Sequence, residues 1–136
     1  PEDKRRIGVT LSEGGFSEYL MPDHIAGILE ALYPNVDKFG FLKKMTAAGL
    51  PLDKPLKDYS KGMRAKFDLL CALCHDADLL ILDEPTRNFS PMSNPVIREI
   101  LKQYGGAVIS VSHDRKYIAE VCDIVYELTE TGLIRK

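Results

Sequence analysis

Two adjacent carboxylates, Asp83 and Glu84, close the apolar run Leu79-Leu80-Ile81-Leu82 in the segment DADLLILDEPT, residues 76–86. A short apolar run bounded by turn residues reads as a buried strand, and this one ends in paired acids. Magnesium prefers oxygen ligands, keeps several waters, and often uses only one or two protein carboxylates beside substrate phosphates. Asp83 suits that task. Glu84, one residue on, points differently and is free to accept a proton from an attacking water. The competing reading is structural, with Asp83 capping the next turn and Glu84 a solvated loop acid. A third chemical group, His113 in SVSHD, also follows an apolar run.

The elements that position these groups are legible from periodicity. RRIGVTLSEGG reads as a strand from Ile7 to Leu11 running into a loop that Gly14 and Gly15 loosen. Pro22 stands near a helix start, with Ile25, Ile28, Leu29 and Leu32 on one face. A second helix is expected with Val36, Phe39, Leu42 and Met45 as its stripe, closed by Gly49, with Pro51 and Pro55 keeping the next stretch extended. A helix from about Ser60 to His75 then leads into the strand Leu79 to Leu82. The Pro-bracketed loop PTRNFSPMSNP feeds the helix VIREILKQY, which Gly105 and Gly106 end. AVISVS has the small and β-branched residues of a buried parallel strand. HDRKYIAEVC is a short helix and DIVYEL another strand. This alternation predicts an α/β fold with a mainly parallel sheet beside a small helical layer. Ligands of such sheets sit off the carboxyl ends of the strands, where Asp83, Glu84 and His113 all lie.

Composition narrows the class. At 136 residues, 45% apolar and 28% charged, the chain reads as one ordinary globular domain. A net charge of −2 gives no global attraction to nucleic acid or anionic membrane. No apolar run approaches the ~18 residues of a membrane span. The opening PEDKRRIGV has no apolar core of a secretory signal and reads as a chain entered within a domain. CALCH, Cys71 to His75, formally matches a haem-attachment pattern, yet Phe67, Leu70, Cys71 and Cys74 recur at helical spacing, so both thiols are expected to face a core. Three cysteines without a signal peptide fit a reducing cytosol.

The order of motifs carries a resemblance. KDYSKGMRAKFDLLCALCHDADLLILDEPT, residues 57–86, resembles the stretch from signature motif to Walker B of the ATP-binding cassette (ABC) ATPase family. Tyr59, Ser60, Lys61, Gly62 and Met63 fall on that family's L-S-G-G-Q, LLILDEPT matches its Walker B without a mismatch, and SVSHD matches the strand that ends in its switch histidine. The resemblance is strong from about Lys57 to Leu128 and weaker before. It implies a partial ABC-ATPase core with a mainly parallel sheet plus an α-helical subdomain. Residues 1–58 would form the end of the Q-loop strand and the helical subdomain, and residues 59–136 the C-terminal half of the ATPase core. The implied cofactors are ATP and magnesium. Asp83 would hold the metal through water, Glu84 would polarise the attacking water, and His113 would sit at the γ-phosphate. Ser60, Lys61, Gly62 and Met63, at a helix N-terminus whose free N–H groups favour phosphate, would serve the nucleotide of a second domain across an ATP sandwich. Read without the resemblance, YSKGM is an ordinary cap, with Ser60 capping Met63.

The departures from the family pattern carry equal information. Lys61 replaces the first signature glycine and Met63 the glutamine. Ser90 replaces the aspartate that links the two sites of a dimer. Ser12 or Glu13 stands near the expected Q-loop glutamine, and Glu13 could reach a metal. No Gly-Lys pair occurs in the 136 residues, so the phosphate loop G-x-x-x-x-G-K-[ST] is absent. The family places that loop upstream of Ile7. The chain is therefore expected to be an ABC-type ATPase only when joined to an N-terminal half carrying it, and inactive alone. VSHDRKYIAEVCDIVYEL resembles the soluble twin-cassette class that acts on ribosomes, whereas YSKGM also occurs in transporter cassettes that dock onto membrane-spanning subunits. A catalytically silent interaction module is the third reading. Each implies a cytoplasmic location, at the ribosome or at the inner face of the membrane without insertion.

Overall fold

The computed structural model describes residues 6–10 and 16–136. Three strands, β1 (Ile7–Thr10), β2 (Leu79–Asp83) and β3 (Ala107–Val111), form a parallel sheet in the order β1-β2-β3. Leu79 stands opposite Ile7 on one side and Ala107 on the other. Between β1 and β2 run α1 (Pro22–Leu32), α2 (Lys38–Ala47), a 3-10 turn (Leu56–Asp58) and α3 (Lys61–Leu73). The helix α4 (Asn94–Lys102) links β2 to β3, and α5 (Arg115–Val121) follows β3. The expected α/β alternation with a parallel sheet is present. The residue expected to end β1, Leu11, lies outside the described residues.

Two apolar clusters meet along α3. Phe67, fully buried, points into the helical layer, where Phe16, Phe41 and Tyr59 meet its ring edge-on at centroid distances of 6.2, 6.4 and 6.3 Å. Leu69 and Ala72 belong to the other cluster, with Leu80 and Leu82 of β2, Ile97 and Leu101 of α4, and Tyr117 of α5. β1 meets α3 backbone to backbone. A Cβ on Gly8 would fall 2.5 Å from the Ala72 carbonyl oxygen, so only glycine permits this approach.

Three expectations change. In α2 the buried residues are Phe41 and Met45, while Phe39 is 77% exposed. Asp37 caps this helix, accepting from the Gly40 N–H at 2.8 Å, and the cap fixes which face turns inward. Phe41 and Met45 are four apart and share that face; Phe39 lies about 200° round from Phe41. On the sheet, α3, α4 and α5 all contribute to the cluster around Leu80 and Leu82. The opposite face, with Val9, Ile81 and Ile109 in one row across the strands, is 45%, 37% and 57% exposed. The strand expected to be buried, β3, therefore has one uncovered face. The last expected strand also leaves the parallel sheet. β4 (Tyr126–Thr129) pairs antiparallel with β5 (Gly132–Arg135), because the two-residue connection Glu130-Thr131 can join only antiparallel neighbours.

Phe67→Ala is expected to cost about 3–5 kcal/mol, because it removes the ring on which three aromatic contacts converge. Urea unfolding followed by circular dichroism reads this directly. A loss below about 1 kcal/mol would show that the helical layer does not depend on that ring.

Candidate functional site

The site grows from the last residues of β2 and β3. Asp83 is paired in register with Val111, and beyond it the chain turns sharply, Glu84 taking a positive φ of 48°. That conformation costs roughly 1–2 kcal/mol in a residue with a side chain. The Glu84 N–H donates to the Val111 carbonyl at 2.8 Å and holds the turn to β3. The carboxylate thereby reaches the next loop. Its Oε2 accepts from the His113 N–H at 3.3 Å, and its Oε1 lies 3.7 Å from His113 Nε2. The Glu84 side chain is only 18% exposed, whereas the His113 ring is 95% exposed. The acid is held and shielded; the imidazole is open to whatever approaches the strand ends.

A second connection lies two residues further on. Buried Thr86 donates from Oγ1 to Asp114 Oδ2 at 2.8 Å. Asp114 Oδ1 accepts from the N–H groups of Lys116 (2.9 Å) and Tyr117 (3.2 Å), capping α5. The Thr86 hydroxyl and then the Tyr117 N–H hold the Asp114 carboxyl below the usual carboxylate range. Fully buried Tyr117 in turn meets Ser110 of β3 through its hydroxyl at 2.6 Å, and Arg98 of α4 pairs with Glu120 of α5 at 2.6 Å.

The N-terminus of α3 faces the same region. Ser60, Lys61, Asp83, Glu84 and Arg87 border one open groove of about 650 Å³. Ser60 caps α3, its Oγ accepting from the Met63 N–H at 3.1 Å, which is the structural reading of YSKGM. Gly62 lies against the loop after β2; a Cβ there would stand 3.1 Å from the Asn88 carbonyl oxygen. Ser90 is engaged locally, its Oγ accepting from the Ser93 N–H at 3.2 Å and lying 3.0 Å from Ser93 Oγ. With Gly62 and Met63 it borders a second recess of about 440 Å³. Glu13 and Ser12 lie outside the described residues.

Asp83 offers carboxylate oxygen, the donor type that hard cations such as magnesium take alongside water and phosphate. Among the described residues no three His, Cys, Asp or Glu side chains gather as a metal set. The thiols differ. Burial pushes Cys71 well up and Cys74 up to about 11, which leaves both protonated and inert. His75 is buried and stacks on Tyr33 at 4.1 Å, with Nε2 3.1 Å from the Ile7 carbonyl oxygen. The CALCH segment is thus part of the packing between helical layer and sheet.

Comparison with known proteins agrees with the fold. The ABC transporter family model matches residues 30–87. Ribosome protection protein VmlR of Bacillus subtilis is 34% identical over 59% of this chain and 15% of its own length. Bacitracin transport ATP-binding protein BcrA of Enterococcus faecalis is 28% identical over 96% of this chain and 44% of its own length. A dimeric ATP-binding cassette in a post-hydrolysis state, bound to ADP and Pi, superposes with a TM-score of 0.71 at 19% identity, over 85% of this chain and 56% of that one. Residues 30–87 are thus similar in sequence to the ABC transporter family, and the fold is that of ATP-binding cassette ATPases. The chain spans less than half of either curated relative. No helix among the described residues is long and apolar enough to cross a membrane.

Sequence reading missed Thr86 and Asp114. Both stand in the quoted motifs, but a hydrogen bond between residues 28 apart leaves no local periodicity. The cap gives a pH prediction. A carboxyl whose folded pKa is depressed stabilises above its unfolded value, near 4, and that stability is lost as pH falls through the folded value. Asp114→Ala is expected to lower stability by about 1–2 kcal/mol near neutral pH. The gap between variant and parent in melting temperature should narrow as pH falls below about 4. A gap constant from pH ~7 to ~3 would contradict a role for the ionised carboxylate.

Proposed function

We propose that this chain is the part of an ATP-binding cassette that carries its hydrolytic carboxylates and signature helix. It hydrolyses ATP when joined to a phosphate loop lying outside these 136 residues, and is inactive alone. The observation that carries this reading is the Glu84 carboxylate, shielded at a strand end and bound by the His113 N–H. A base held this way has one fixed direction in which to accept a proton. Asp83 would hold magnesium through water, and the metal would supply positive charge to the phosphates. Glu84 takes the proton of the attacking water. The exposed His113 ring meets the γ-phosphate.

Ser60, Lys61, Gly62 and Met63 face the nucleotide of a second cassette, with Ser90 in the loop between the two sites. Lys61 adds positive charge where the family has glycine, and Ser90 supplies a hydroxyl where it has a carboxylate. Residues 1–58 then belong to the Q-loop strand and helical subdomain, with Glu13 near the metal, and residues 59–136 to the ATPase core. The uncovered row Val9, Ile81 and Ile109 supports a further layer of polypeptide on that face, from the half that holds the phosphate loop.

The soluble, cytoplasmic twin-cassette class that acts on ribosomes is the reading favoured by the continuation of SHD into Arg115-Lys116-Tyr117 and by the identity to VmlR. The transporter reading, in which the cassette docks onto a membrane-spanning subunit, is favoured by the coverage of BcrA, which extends along nearly the whole chain.

In the complete protein, Glu84→Gln is expected to leave ATP binding intact and to lower turnover by about a hundredfold or more, the scale of a lost general base. Measured by phosphate release and by retention of labelled ATP, equal turnover of variant and parent would overturn the catalytic role and favour the silent-module reading.

A further inference from the structure

The loops after β2 and β3 are joined by two cross-links running side by side. One starts at Glu84, which borders the groove: His113 N–H to Glu84 Oε2, at 3.3 Å. The other lies deeper: Thr86 Oγ1 to Asp114 Oδ2, at 2.8 Å, with Thr86 only 6% exposed. The residues alternate in sequence, 84 with 113 and 86 with 114, so the second link restrains the loop that makes the first. Without it, among the described residues, the loop past the Glu84 N–H to Val111 bond is tied to the β2 side through the Glu84 carboxylate alone. That contact is long for a charge-assisted hydrogen bond and would be the first to open.

Asp114 is also fixed from behind. It caps α5 through two N–H groups, and α5 is seated by Tyr117 against Ser110 and by the Arg98–Glu120 pair. Buried Tyr117 therefore sets where α5 begins, and the start of α5 sets Asp114. The Thr86 hydroxyl transmits that position to the loop carrying Glu84.

We propose that Thr86 and Asp114 are positioning residues for the hydrolytic pair, keeping the His113 N–H on the Glu84 carboxylate while the His113 ring remains free to engage phosphate. Neither borders the groove that Asp83 and Glu84 line, so their effect falls on alignment rather than on nucleotide affinity. The inference rests on the hydrolytic reading given above. A small displacement of a reacting group lowers rate far more than binding.

The test uses the complete ATPase and three variants. Thr86→Val keeps shape and volume but removes the donor; Thr86→Ser restores it; Glu84→Gln reports on the base itself. Thr86→Val is expected to lower kcat by about ten- to a hundredfold with KM for ATP within about twofold, and Thr86→Ser to recover most of the loss. A general loss of folding would depress both Thr86 variants and raise KM, and that result overturns the proposal. So does a Thr86→Val enzyme with parental kcat while Glu84→Gln is inactive, which leaves the hydrolytic reading standing. Parental turnover in Glu84→Gln would instead remove the hydrolytic reading and the positioning role with it.

Discussion

The hydrogen bond from the Glu84 N–H to the Val111 carbonyl is the interaction on which the site depends. It extends the β2–β3 pairing one residue past the register pair Asp83–Val111, into a residue whose φ is positive. A sheet that ended at Asp83 would let the following turn relax to an ordinary extended path. Glu84 would then project into solvent like any loop acid. With the bond in place, the turn reverses, the carboxylate lies over the start of the next loop, and two acids adjacent in sequence do different things. Asp83 stays in the strand, facing the groove; Glu84 is handed to His113.

The position of α3 follows from packing on both sides. Phe67 is held by the aromatic cluster of the helical layer, and Leu69 and Ala72 by the cluster around Leu80 and Leu82. A helix clamped by two cores cannot slide without breaking one of them, so its N-terminus is a fixed edge of the groove that Asp83 and Glu84 also border. The absence of a Cβ at Gly62 lets that edge approach the loop after β2. The segment Cys71 to His75 adds a tie between layers, through the stack of buried His75 on Tyr33 and the Ile7 carbonyl. Rigidity at the strand ends is thus inherited from apolar burial some distance away.

Much of this was legible in the sequence because it is periodic or contiguous. The apolar run before Asp83 identified β2, the helical spacing from Phe67 identified α3 and the inward thiols, and Ser60 identified its cap. What was not legible depends on geometry that spacing does not encode. Phe39 and Phe41 are equally apolar, and only the Asp37 cap decides which turns inward. AVISVS looks buried on both faces, yet burial depends on what covers each face, and the Ile109 side carries no helix among the described residues. DIVYEL continues the alternation in sequence, but the tight turn after Thr129 commits it to an antiparallel partner. Thr86 and Asp114 were visible as letters in two motifs, whereas their bond is a product of β2 and β3 lying side by side.

The proposed function puts the carboxylates of an ATP-hydrolysing site in this chain and the group that grips phosphate in polypeptide outside these 136 residues. Calorimetric titration of the chain with Mg-ATP, near neutral pH and at low salt, tests it most directly. No heat of binding is expected up to millimolar nucleotide. Saturable binding that vanishes in Asp83→Asn would contradict it, because the phosphates would then be held within these 136 residues.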